Sequence, residues 1–189
     1  CETWGVNGTY TFAQRLDKLF FTDEDSEVDC TQYNIEAIKR INPVMVFPIV
    51  YNKFKDTGLR IEIYPINGII KRYNTRFFSN SIAYMLAYAI FHEYEVIYFY
   101  GIDMMTHSSY LQEKGGVEYW IGIADGIRSE RVQRGLPAYP RIVNTKGSAT
   151  GKTWNGKMYG HYGHLEEEQL KERLLAPWEM VRVSKSSDP

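Results

Sequence analysis

A three-layer α/β/α fold on a mostly parallel sheet is predicted by three observations. The first is the stretch Ser79–Tyr110, SNSIAYMLAYAIFHEYEVIYFYGIDMMTHSSY. Ser79, Asn80 and Ser81 form an N-cap, Ile82–Phe91 an apolar helix, Glu95–Tyr100 a strand, and Gly101-Ile102-Asp103 opens a polar loop. A helix that is apolar on every side is buried, so this one packs flat on a sheet as part of a β-α-β crossover. The second is the recurrence of short strand-like runs between helical ones, the pattern of a parallel sheet. The third is the polar loop itself. Its strand carries Asp103 and Met104–Tyr110 to the carboxyl edge, where open α/β sheets bind ligands.

The elements follow in order. Glu2–Val6 reads as a strand ended by Asn7-Gly8-Thr9, with Tyr10–Asp17 continuing as a short helix. Asn7 follows the strand directly, and Gly8 lets backbone approach a ligand closely. Leu19–Phe21 is the next strand, ending at Thr22-Asp23. Asp23 either belongs to the solvated acidic run that follows or faces the site from a strand end. Tyr33–Ile41 is an amphipathic helix and Val44–Val50 a buried strand. Pro48 belongs at that strand's end, because proline donates no ladder hydrogen bond. Arg60–Tyr64 alternates polar and apolar residues, as a half-exposed edge strand does. Asn67–Phe78 reads as a polar approach to the central helix. Its Lys71, Arg72 and Arg76 either serve an anion at that helix start or belong to an ordinary solvated loop.

Gly115–Ser129 reads as a helix with Val117, Trp120, Ile121 and Ala124 on one face, and Arg141–Val143 as a last strand. Asn144–Gly163 is a lid-like glycine-rich loop, Leu165–Ala176 a surface helix, and Ser184–Pro189 a frayed tail. With no internal repeat or linker, residues 1–183 read as one domain.

Composition excludes several classes. A net charge of −1 carries no nucleic-acid signal. No apolar run reaches the ~20 residues of a membrane span. Two cysteines, Cys1 and Cys30, are too few for a disulfide framework and suit free thiols in a reducing cytoplasm. Gly147–Thr153 imitates a phosphate-binding loop but has three residues between its glycines where four are required. The stretch reads instead as a flexible Gly/Ser/Lys lid, from which Lys152 could still touch a phosphate. His92 reads as a capping or packing residue and His107 as an acid/base group. His161 and His164 lack a third ligand nearby in sequence and make a poor metal pair.

The Ser79–Tyr110 segment is similar to that of bacterial sialyltransferases that use CMP-sialic acid. It also resembles a wider group of phage and bacterial proteins. That group includes motility-associated glycosyltransferases and 6-hydroxymethylpterin diphosphokinases. Trp4-Gly5-Val6-Asn7, Val117-Glu118-Tyr119-Trp120 and Met158-Tyr159-Gly160 resemble further elements of the group in the same order. The resemblance implies a Rossmann-like fold whose first strand and glycine-rich nucleotide loop would come before Cys1. It implies that Asn7, Asn80 and Ser81 contact the nucleotide and that Tyr110 steadies the departing phosphate. The group's second phosphate tyrosine falls at Met105, which cannot donate a hydrogen bond, and its general-base histidine has no obvious counterpart.

The function implied is glycosyl transfer from a CMP- or UDP-linked sugar to a small or glycan acceptor, with no obligatory metal. His107, Asp103 or Glu118 would act as base. Asp103 has a structural alternative, tying down its own loop. Two other readings stay open. One is a pyrophosphoryl transferase holding Mg²⁺-ATP through Asp23 and Asp103; the other is a non-catalytic nucleotide-binding relative. A homo-oligomer is compatible with each.

Overall fold

The computed structural model describes residues 1–22, 33–48, 54, 56–102 and 108–144, excluding the side chains of 108–112 and 144. The chain divides into Cys1–Gly151 and Lys152–Pro189, and every described residue belongs to the first unit. The lid-like loop, the Leu165–Ala176 helix, Lys152, His161 and His164 lie outside the described residues.

Four strands form a parallel sheet in sequence order: β1 (Trp4–Val6), β2 (Lys18–Phe20), β3 (Val44–Phe47) and β4 (Arg60–Ile63). A second parallel pair joins β5 (Val96–Phe99) to β6 (Arg141–Asn144). The mixed α/β architecture and parallel pairing agree with the sequence expectation. Tyr94, just before β5, donates to Glu2, just before β1, at 2.8 Å. Its ring also meets Trp4 at 4.9 Å, so β1 and β5 begin side by side although they belong to different sheets.

Alternation along β3 supplies two cores. Met45 and Phe47 join Leu19, Phe21 and Ile38 of helix α1 (Ile35–Ile41) on one face. Val46 and Phe20 face the other helices, α2 (Ile66–Tyr73), α3 (Ser81–Phe91) and α4 (Ser108–Gln133). A period-two strand covered on both faces produces this split. The α1 helix starts at Asn34, whose side chain accepts from the Ala37 N–H, and stops at Asn42 in a left-handed conformation. The α3 helix buries Ala83, Leu86, Ala87, Tyr88, Ala89 and Ile90, each large aliphatic contributing roughly 1.5–3 kcal/mol. Pro48 follows β3 directly, and β4 pairs only with β3 among the described strands, as an edge strand does.

Three expectations are corrected. Residues 7–11 form a 3-10 turn, and no helix runs on to Asp17. The segment read as a polar approach contains α2, which buries Ile69. The α4 helix spans Ser108–Gln133, well beyond Gly115–Ser129.

Candidate functional site

Gly5 creates the geometry at the end of β1. A Cβ there would sit 2.9 Å from the Thr9 side chain, so only glycine lets Thr9 fold back over the strand. The Val6 N–H donates to Thr9 Oγ1 at 3.0 Å, and the Thr9 hydroxyl donates to the Val6 carbonyl. This latch turns the chain at once into the 3-10 turn and places Asn7 at φ 42°. Asparagine is among the few non-glycine residues that tolerate the left-handed region. Its Oδ1 is buried without a hydrogen-bond partner among the described residues. A Cβ on Gly8 would meet nothing within 4 Å, so packing among the described residues does not demand that glycine.

Val6 pairs with Phe20, which puts Asn7 level with Phe21 and one residue short of Thr22. The Phe21 N–H donates to the Val46 carbonyl at 3.0 Å, fixing the end of β2. The Thr22 and Ser81 hydroxyls are hydrogen-bonded at 2.7 Å. That bond draws the start of α3 to the carboxyl edge. Asn80 is the N-cap, its Oδ1 accepting from the Ala83 N–H at 2.9 Å. The positive end of the α3 dipole therefore lies at the edge where Asn7 emerges.

The approach to α3 is clamped by α4. Trp120 Nε1–H donates to the Phe77 carbonyl at 2.9 Å, and the Ser79 hydroxyl donates to the Glu113 carbonyl. Gly116 makes this contact possible, since a Cβ there would lie 2.7 Å from Ser79 Cβ and 3.0 Å from its backbone nitrogen.

The structure thus brings Asn7, Asn80 and Ser81 to one edge. It adds Thr22, which the sequence marked only as a strand end. The three cations separate from one another. Arg72 bonds Glu93 at 2.8 Å and the Phe91 carbonyl at 3.2 Å, at the far end of α3 from an N-terminal anion. Lys71 is exposed on α2, and Arg76 is exposed in the segment leading to α3. Glu118 is exposed on α4 and pairs with Lys114 at 3.3 Å. Asp23, Asp103, Met105 and His107 lie outside the described residues. Tyr110 belongs to the first turn of α4, and its side chain is not described. His92 caps α3, as expected, its backbone N–H donating to the Tyr88 carbonyl at 3.0 Å and its ring tilted against that of Tyr88 with centroids 4.2 Å apart.

An open hollow of about 410 Å³ lies at the opposite, amino edge, among Glu2, Arg15, Asp17, Lys18 and Arg60. Its charges already have protein partners. Arg15 pairs with Asp17 at 2.9 Å and Lys18 with Glu62 at 2.6 Å. Arg60 donates to the Asn42 carbonyl, and Glu2 accepts from Trp4 and Tyr94. Partial burial pushes the Glu62 carboxyl up, but hydrogen bonds from Lys18 and Tyr88 outweigh it and hold it below the ordinary range. This cluster ties strands together. No group of three or more metal-ligating side chains occurs among the described residues.

Compared with protein-family models, curated proteins and solved structures, the chain gives no match in any of the three.

Proposed function

We propose that the carboxyl edge binds a CMP- or UDP-linked sugar and that the protein is a glycosyltransferase. The observation that carries this reading is Asn7. Its side-chain oxygen is buried with no hydrogen-bond partner among the described residues, a costly state for a polar atom, and it sits on a left-handed residue of the kind that clusters at ligand sites. The start of α3, drawn alongside by Thr22, suits the nucleotide phosphate.

The chemistry is direct displacement. An acceptor hydroxyl oxygen bonds the sugar carbon as the bond from that carbon to the phosphate oxygen breaks. The electron pair leaves with the phosphate, and the acceptor proton passes to a base supplied by His107, Asp103 or Glu118. Ser81 and Tyr110 donate to the phosphate as its charge grows.

Calorimetric titration of CMP, UDP and ATP, each with and without Mg²⁺, tests the reading. Metal-independent binding of CMP or UDP is expected, weakened roughly tenfold or more in Asn7→Ala. Silence toward both nucleotides, or an Asn7→Ala variant that binds like wild type, would sink it. Mg²⁺-dependent ATP binding would favour pyrophosphoryl transfer instead.

A further inference from the structure

We infer that Thr22 is a positioning residue for phosphate recognition, fixing the direction in which the Ser81 hydroxyl donates its proton. This rests on the reading just given and deepens it. Each hydroxyl has one proton and two acceptor sites, so the 2.7 Å Thr22–Ser81 pair can be polarised either way. If Ser81 donates to Thr22, its proton is spent inside the protein. If Thr22 donates to Ser81, the Ser81 proton is free for an acceptor beyond it.

A phosphate at the start of α3 selects the second arrangement, because it offers acceptors and no donor. The Thr22 bond then polarises the Ser81 hydroxyl and strengthens its outward hydrogen bond, as linked hydroxyls do. Thr22 suits this task because it follows a strand fixed on both sides. Phe20 is paired to Val6 and Val46, and the Phe21 N–H is bonded to the Val46 carbonyl. The side chain that orients Ser81 thus lies just past the end of β2, while Ser81 stands on a helix start. The buried Asn7 oxygen, without a partner among the described residues, follows Val6, which pairs with Phe20, and marks the same edge as one that receives a ligand. Thr22 acts through Ser81 and touches no reacting atom.

The discriminating experiment compares nucleotide with nucleoside. Thr22→Val removes the donor and keeps the shape; Thr22→Ser keeps the donor. By calorimetry, Thr22→Val should weaken CMP or UDP binding roughly tenfold and leave cytidine or uridine binding unchanged. Thr22→Ser should restore nucleotide affinity. If Thr22→Val fails to fold, Ser81→Ala replaces it and should show the same phosphate-selective loss. Where both fold, the double variant should lose no more than either single one, because the two hydroxyls act as one unit. Equal losses for nucleotide and nucleoside, or no loss at all, would overturn the assignment while leaving the nucleotide site standing. Wild-type protein that binds neither CMP nor UDP would remove the site and this role together.

Discussion

At the scale of single residues, Asn7 trades stability for a ligand contact. Asn7→Gly relieves the left-handed backbone at φ 42° and removes the buried oxygen that has no partner among the described residues. Thermal unfolding of that variant is expected at or above the wild-type temperature, while nucleotide affinity falls. Asn7→Ala introduces a left-handed strain of about 1–2 kcal/mol that asparagine largely escapes, and should be less stable than Asn7→Gly. Asn7 was legible in the sequence because an Asn-Gly pair directly after a strand signals a turn. The burial of its side-chain oxygen was not legible, since the turn that places it depends on Thr9 folding back over Gly5. Thr22 was harder still, because its partner is 59 residues away and no local pattern announces a hydroxyl pair.

At the scale of elements, two helices were misplaced where glycine interrupted the apolar period. Asn67-Gly68 hid α2, whose Ile66, Ile69, Ile70 and Tyr73 recur at helical spacing. Tertiary contacts override the weak propensity there, through buried Ile69 and the ties from Arg72 to Phe91 and Glu93. Gly115-Gly116 likewise suggested a helix start in the middle of α4. The glycines of α4 now separate into two kinds. Gly116→Ala forces the new methyl onto Ser79, and chemical denaturation should show a loss of about 1–3 kcal/mol. A Cβ on Gly122 or Gly126 would meet nothing within 4 Å among the described residues. Alanine at either should stabilise the helix by roughly 0.8–1 kcal/mol. A Gly116→Ala variant as stable as wild type would remove the clamp between α4 and the approach to α3.

At the scale of the whole molecule, the response to pH follows from three groups with shifted titration, His92, Glu62 and Asp17. Partial burial holds His92 below its ordinary value of 6.5, so its contribution is complete above that pH and is lost as pH falls toward the folded value. Glu62 is held below its ordinary 4.5. Asp17 is held below 3.8 by the Thr3 N–H and Arg15. Both carboxylates stabilise the fold above those values and cease to do so as acid protonates them. Melting temperature should therefore be level above about pH 7, decline gently from 6.5, and fall more steeply below 4.5. His92→Gln should abolish the gentle part and keep the steep one. Burial raises the hydroxyls of Tyr64, Tyr88 and Tyr94, so an alkaline decline should begin above pH 10. The parallel α/β class was readable at this scale, from a helix apolar on all sides followed by a strand. The separation of β5 and β6 from the first four strands was not, because strand-like runs do not encode which edges meet.

The first four strands pair in the order in which they are synthesised, β1 to β2 to β3 to β4. During translation each new strand finds its partner already made, and the entropy of closing each connection grows only with the logarithm of its length. This sheet can assemble cumulatively behind the ribosome, without waiting for β5 and β6. Pulse-labelled hydrogen exchange should find the amides of β2 and β3 protected first; protection of β5 ahead of them would contradict that order.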